Sequence, residues 1–191
     1  MSEAGRDDAT LMAFVARGDT AAFEQLVERH QTLVIGTVAR MLGSNSDVED
    51  VAQQVFIRVW KSAPRYVPSA KFTTWLLTIT RNLVFNESRR RKRHSAETLD
   101  VHQGEESLPL PDRQGRVPDQ QLLDDEMQRA VDTAIQALPE KQRLAVVLRR
   151  YEEKSYEDIA EVLGLSVPAV KSVLFRARTE LREALNRYLA D

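Results

Sequence analysis

Residues 155–178 read SYEDIAEVLGLSVPAVKSVLFRAR. Ser155, with acidic Glu157 and Asp158 just after it, opens a short helix that Gly164 stops, and Ser166 opens a longer one with Pro168 tolerated in its first turn. Ala160, Gly164 and Val170 fall at relative positions 5, 9 and 15 of a helix-turn-helix. A small residue is needed where the two helices cross, and glycine where the turn requires a positive φ. Ile159, Leu163, Val170, Leu174 and Ala177 then form the buried side, leaving Lys171, Ser172, Phe175, Arg176 and Arg178 on or beside the outer face. Those five supply cationic forks for guanine and phosphate, a hydroxyl, and an aromatic ring for a thymine methyl, which is what major-groove readout requires. An ordinary helical hairpin with a solvated charged face fits the same spacing. The second helix nevertheless carries five cations (Lys171, Arg176, Arg178, Arg182, Arg187) against Glu180 and Glu183, and so places local positive charge where phosphate would lie.

Outward from this stretch, apolar spacing is helical almost throughout, and no β-branched alternation bounded by hairpin turns appears. The spacing predicts helices from Ala9 to Arg17, from Asp19-Thr20 to Gly43, and from a capping box at Ser46-Asp47-Val48-Glu49 to a stop before Pro64. A fourth presents Phe72, Trp75-Leu76, Ile79 and Leu83-Val84 and runs into Arg89–Arg93. From Glu97 to Glu126 nine carboxylates face two arginines, with prolines at 109, 111 and 118 and no aromatic residue, the composition of a flexible acidic linker. Residues 94–118 could span about 80 Å when extended. Beyond them a helix from near Asp119 ends at Pro139, which can occupy the first turn of the next. The expected fold is all-α, with one helical domain over 8–93 and a second over 119–189.

Composition narrows the function. In 191 residues, 27 Lys+Arg balance 29 Asp+Glu, a net charge of −2, so any nucleic-acid surface must be local. There is no cysteine, which excludes disulfides, thiolate metal sites and cysteine nucleophiles, and fits a reducing compartment. His30, His94 and His102 match no metal-ligand spacing, and no P-loop, nucleophile elbow or His-Glu-x-x-His occurs. No stretch approaches the ~18 apolar residues of a membrane span, and the polar start has no signal-peptide core. The expectation is a soluble cytoplasmic binding protein without cofactor or catalytic activity.

The first half holds a second chemistry. Six cations lie between Arg81 and Arg93 with one carboxylate, Glu87, directly after an aromatic stretch running from Lys71 to Trp75, with Trp60 and Tyr66 nearby. Cations along a backbone plus rings on which bases stack are what single-strand capture requires, and Asn82 is a candidate reader of base edges. Phe72, Trp75 and Ile79 also sit at core spacing, and an arginine run also fits a solvated helix end.

A strand-handling helical domain, an acidic linker and a C-terminal helix-turn-helix together resemble the extracytoplasmic-function (ECF, group IV) sigma factors of bacterial RNA polymerase. Six motifs in register carry the resemblance: Gly18–Phe23 (GDTAAF), Asp47–Phe56 (DVEDVAQQVF), Phe72–Leu76 (FTTWL), Leu138-Pro139, Ser155–Ala160 (SYEDIA) and Val170–Arg178 (VKSVLFRAR). It implies that 8–93 is sigma region 2, which binds core polymerase and melts the −10 element, and that 119–189 is region 4, which reads the −35 element. It implies further that Asp47, Asp50, Gln53, Gln54, Phe56 and Arg58 dock on the β′ coiled coil. Tyr66, Lys71, Phe72, Trp75, Asn82, Arg89 and Arg90 would hold the unpaired −10 strand. Lys171, Ser172, Phe175, Arg176 and Arg178 would read the −35 duplex, with region 4 also leaning on the β flap. Such factors are usually restrained by an anti-sigma factor. Gln54 stands where the family commonly has Glu, and Val173 where it commonly has Arg. The alternative is a conventional helix-turn-helix regulator that binds duplex DNA, as a dimer on a palindrome, independently of polymerase.

Overall fold

The computed structural model describes the backbone of residues 6–43, 47–99 and 119–189, and the side chains of 6–43, 47–94 and 126–186. Every regular element among them is helical. They follow in the order α1 (Asp8–Val15), α2 (Thr20–Leu42), α3 (Val48–Ser62), a 3-10 turn (Ala63–Arg65), α4 (Phe72–Leu99), α5 (Asp119–Ala137), α6 (Glu140–Arg150), α7 (Tyr156–Leu163) and α8 (Val167–Leu189). Helices α1–α4 form one bundle and α5–α8 a second.

Local chemistry sets most boundaries. The Asp7 and Asp19 carboxylates accept from the amides of Thr10 (2.7 Å) and Ala22 (3.0 Å), capping α1 and α2. Three expectations change. Helix α3 begins one residue later than a box opening at Ser46 implies: Val48 is the first helical residue, Asp47 stands at the N-cap without a capping bond, and its carboxylate is taken by Arg91 at 2.9 Å. Ser46 itself lies outside the described residues. Pro139 precedes the first turn of α6, with φ −52° and ψ 142°. Helix α4 continues past His94 to Leu99, because Ser95-Ala96-Glu97-Thr98 contains no Gly or Pro and extending a formed helix is easy. Residues 100–118, most of the expected linker, lie outside the described residues.

The helical stripes meet as spacing requires. Leu26, Val34, Val38 and Met41 of α2 pack with Val51, Val55 and Val59 of α3 and with Leu76, Leu77 and Val84 of α4, all of them buried. In the second bundle Leu144 and Leu148 meet Ile159, Val162, Val170, Leu174 and Ala177. Truncating a fully buried leucine of either set to alanine costs about 2–5 kcal/mol.

The turn between α7 and α8 is built as the sequence implies. Ser155 Oγ accepts from the Asp158 amide at 3.0 Å. Gly164 adopts φ +65°, ψ 42°, and the Leu165 amide reaches back to the Ala160 carbonyl at 2.9 Å. A residue with a Cβ would hold that left-handed conformation at a cost of about 1–2 kcal/mol.

The two bundles lie against each other, α2 on α5 and α6, and α4 on α7. Gln136 donates to the Arg40 carbonyl (2.6 Å), and the Arg40 guanidinium sits 4.3 Å above the Tyr151 ring. Lys92 pairs with Glu140 at 3.0 Å. Arg143, half-buried, donates to the carbonyl of Met41 (2.7 Å) in the first bundle. In its own bundle it donates to the carbonyls of Gln136 and Leu138. This seam is polar at its edges and apolar within.

Candidate nucleic-acid interface

The first candidate surface is α8. Because Val170, Leu174 and Ala177 are drawn into the core, Lys171, Ser172, Phe175, Arg176 and Arg178 are all left exposed. Phe175 is 69% exposed, a large apolar ring that the core stripe of α8 leaves at the surface. Ser172 Oγ is turned back onto the Pro168 carbonyl (3.1 Å), and the Lys171 ammonium lies 5.9 Å from the Tyr156 ring. Among the described residues none of the three cations pairs with a carboxylate, so their charge is available to phosphate. Val173 is partly buried beside them.

The second candidate surface lies on the other bundle, where Tyr66, Phe72 and Trp75 form one aromatic cluster. Tyr66 stands edge-on to Trp75 at 4.8 Å and to Phe72 at 6.1 Å, and Phe72 leans on Trp75 at 5.7 Å and on His30 at 5.0 Å. Phe72 is only 6% exposed and forms the floor of the cluster, with no face open to a base. His30, itself buried, holds that floor through Asp8 (3.0 Å). Trp75 is partly buried and, with Arg58, Arg65, Ile79, Asn82 and Asn86, lines an open cleft of about 380 Å³. A partly exposed indole, two amides able to read base edges and two guanidinium groups can accept an unstacked base and the adjoining phosphates. Burial, with Asp8 and Asp7 nearby, holds the Tyr66 hydroxyl above its ordinary pKa, so it stays a neutral donor.

The arginine run is divided. Arg90 and Arg91 both donate to Glu87, at 2.8 and 3.2 Å. The Arg90 bond is the main reason Glu87 stays below the usual carboxylate range against the opposing effect of burial, with Arg91 adding to it. Arg91 also reaches the Leu42 carbonyl and Asp47, tying α4 to the end of α2 and the start of α3. It is a brace. Among the described residues Arg89 is exposed and bonds along its own helix, to the Phe85 carbonyl and Asn86, and Lys71, just before α4, is exposed and pairs with Asp158 at 3.1 Å.

Helix α3 carries the third candidate set. Asp50, Gln53, Gln54 and Arg58 are exposed, whereas Phe56, at 9% exposure, belongs to the core stripe and Asp47 is held by Arg91. Arg58 faces the Trp75 cleft and so shares a wall with the strand candidates. Ile57, 36% exposed between Gln54 and Arg58, is an apolar surface residue that sequence reasoning missed; the i, i+4 step from Gln53 could have found it. Asn86 and Arg65 were missed as well. Asn86 lies one turn after Asn82, a spacing that was legible. Arg65 is brought to the cleft by the 3-10 turn, which no spacing announced. Among the described residues no group of three His, Cys, Asp or Glu could hold a metal ion, and no helix is long and apolar enough to cross a membrane.

Comparison with known proteins gives consistent matches. Residues 26–94 match the Sigma-70 region 2 family and residues 128–181 the Sigma-70, region 4 family. The RNA polymerase sigma-H factor of Pseudomonas aeruginosa is 34% identical over 190 residues, 96% of each chain. The ECF RNA polymerase sigma-E factor of Haemophilus influenzae is 35% identical, covering 90% of this chain and 91% of its own. Among solved structures, CnrH in complex with the cytosolic domain of CnrY superposes with a TM-score of 0.66 at 28% identity, over 94% of this chain and 97% of that one. The sigma factor RpoE of Bartonella quintana, solved with the anti-sigma factor NepR, shares the fold at a TM-score of 0.65 and 24% identity.

Proposed function

The chain belongs to the ECF branch of the sigma-70 family, the sigma factors that direct RNA polymerase to promoters, and from that premise we propose how its surfaces divide the work. Residues 8–93 act as region 2 and 119–189 as region 4, with α8 in the major groove of the −35 element. Lys171, Ser172, Phe175, Arg176 and Arg178 face the bases and phosphates there. The Trp75 cleft receives a base of the unpaired −10 strand, with Asn82 and Asn86 at its edge and Arg58, Arg65, Lys71, Arg89 and Arg90 toward the backbone. Phe72 supports the cleft from below. Asp50, Gln53, Gln54 and Ile57 form the rim that docks on the β′ coiled coil, and the region 4 bundle leans on the β flap. The work is binding rather than catalysis: binding energy gathered at two boxes is used to hold the duplex open. The setting is the cytoplasm, where the polymerase is, and an anti-sigma protein of the kind seen with RpoE is the expected restraint.

One observation carries this division. An exposed basic helix face and an aromatic cleft lined by amides, two surfaces of different design, sit on separate bundles of one chain. A dimeric duplex-binding repressor has no use for the second. In vitro transcription with core polymerase on a promoter library tests it: recovered promoters should share two boxes about two helical turns apart. Arg176→Ala should relax preference within the upstream box by about tenfold, or roughly 1.4 kcal/mol, and leave the downstream box unchanged. Polymerase-independent recognition of a palindrome would refute the assignment.

A further inference from the structure

The seam between the bundles places a carboxylate on the strand-holding side of α4. Asp158, near the start of α7, accepts from Lys71 Nζ at 3.1 Å through Oδ2 and from Thr74 Oγ1 at 3.2 Å through Oδ1. Ser155 Oγ donates a further bond to Oδ2 at 2.9 Å. Lys71 immediately precedes α4 and Thr74 lies in its first turn, at the end of the helix whose dipole favours negative charge. Thr74 is 1% exposed and Lys71 largely exposed, so α7 covers the hydroxyl and leaves the ammonium accessible. Ten residues along α4 from Lys71, Arg81 donates to the Val162 carbonyl at the other end of α7, beside the Gly164 turn. Helix α7 therefore lies on α4 with its carboxylate against one cationic position and its carbonyl end against another.

We propose that Lys71, Thr74 and the positive end of α4 form a binding site for a backbone phosphate of the promoter strand, and that Asp158 occupies it as an internal substitute, holding the chain in a closed, self-inhibited state. A carboxylate presents two oxygens to an ammonium and a hydroxyl much as a phosphodiester does. Competition is direct, because α7 must leave α4 before a strand can take its place. Arg81, freed from Val162, then becomes a second phosphate contact on the same face. Closure also sets the distance between the two DNA-binding surfaces, so the opening that empties the anion site is the one that lets α8 and the Trp75 cleft reach separate boxes. The proposal rests on the strand-holding role given to α4 above.

Because the chain has no cysteine, two can be introduced at exposed Glu28 and Glu183 and spin-labelled to report the distance between the bundles in the full-length protein without polymerase. Wild type should give one narrow distance. Asp158→Asn should broaden and lengthen it and raise affinity for a 20-nucleotide single strand of mixed sequence about three- to tenfold, by removing the closed population from the binding equilibrium. Lys71→Gln, which leaves the α7 cap intact, should open the chain to the same extent, and combining the two should open it no further. An unchanged distance in both variants overturns the latch. Opening without tighter strand binding overturns the phosphate site, while the seam and the strand-holding role of the Trp75 cleft, which Trp75→Ala tests separately, would stand. Additive opening by the two variants, with loss of helical circular dichroism in Asp158→Asn alone, would show that damage to α7 and not the ion pair was responsible, and would also overturn the proposal.

Discussion

Arg143→Ala is expected to destabilise the folded chain by about 2–4 kcal/mol, read from the shift of the urea midpoint at an unchanged slope. The guanidinium is half-buried where two helices end. Met41 is the second-last residue of α2, and Gln136 and Leu138 flank the last residue of α5, so all three carbonyls belong to the set that a helix terminus leaves without partners. Arg143 donates to each of them and to Gln136 Oε1. Removing it strands acceptors in two bundles at once and withdraws a cation from the negative ends of two helix dipoles. Burial lowers the pKa of Arg143, with Glu140 opposing, yet a guanidinium still remains charged at neutral pH. Its Nε is buried with no partner among the described residues, a small cost already included in the native state. Arg143→Lys should recover less than half of the loss, since one ammonium cannot span carbonyls that a planar fork spans. A loss below about 1 kcal/mol for the alanine variant would mean that water replaces the guanidinium at these helix ends.

Arg143 also marks the boundary of what sequence could deliver. Helix positions were legible because their punctuation is local: Asp7, Asp19 and Ser155 cap within three residues, and Gly43 and Gly164 stop their helices where only glycine is at ease. The outer face of α8 was legible for a related reason, since one helical period separates Val170, Leu174 and Ala177 from the five exposed candidates. Phe56 and Phe72 show the limit of motif transfer. Both belong to matched motifs, and both obey the core period of their own helix; the period won, because burying a phenyl ring outweighs any contact it could offer at the surface. The seam was not legible. Its bonds join residues roughly 50 to 100 positions apart, many of them ending on backbone carbonyls that no side-chain pattern encodes, and charged residues on solvated-looking faces gave no sign of pairing. The same holds for Asp47, whose partner Arg91 looked like one more cation in a run.

Trp75→Ala is expected to reduce open-complex formation about 10- to 100-fold, followed by permanganate footprinting of unpaired thymines, while affinity for core polymerase changes by less than about twofold. Stacking of a base on an aromatic ring is worth about 1–3 kcal/mol, and opening needs that energy to compensate for unstacking. The opposing possibility is that Trp75 merely fills space. Its position limits how much of its role can be packing: the residues behind it, Leu76 and Leu77, are fully buried, while Trp75 is partly exposed, propped edge-on by Tyr66 and turned toward the cleft that Asn82 and Asn86 share. Truncation should therefore cost stability modestly and base capture heavily. Trp75→Phe separates the two contributions. A phenyl ring keeps a stacking face, so melting should largely return, whereas a purely structural role would follow lost volume and leave polymerase binding and opening impaired together. If Trp75→Ala weakens polymerase binding as much as it weakens opening, the indole is a packing residue and the −10 base must be held elsewhere.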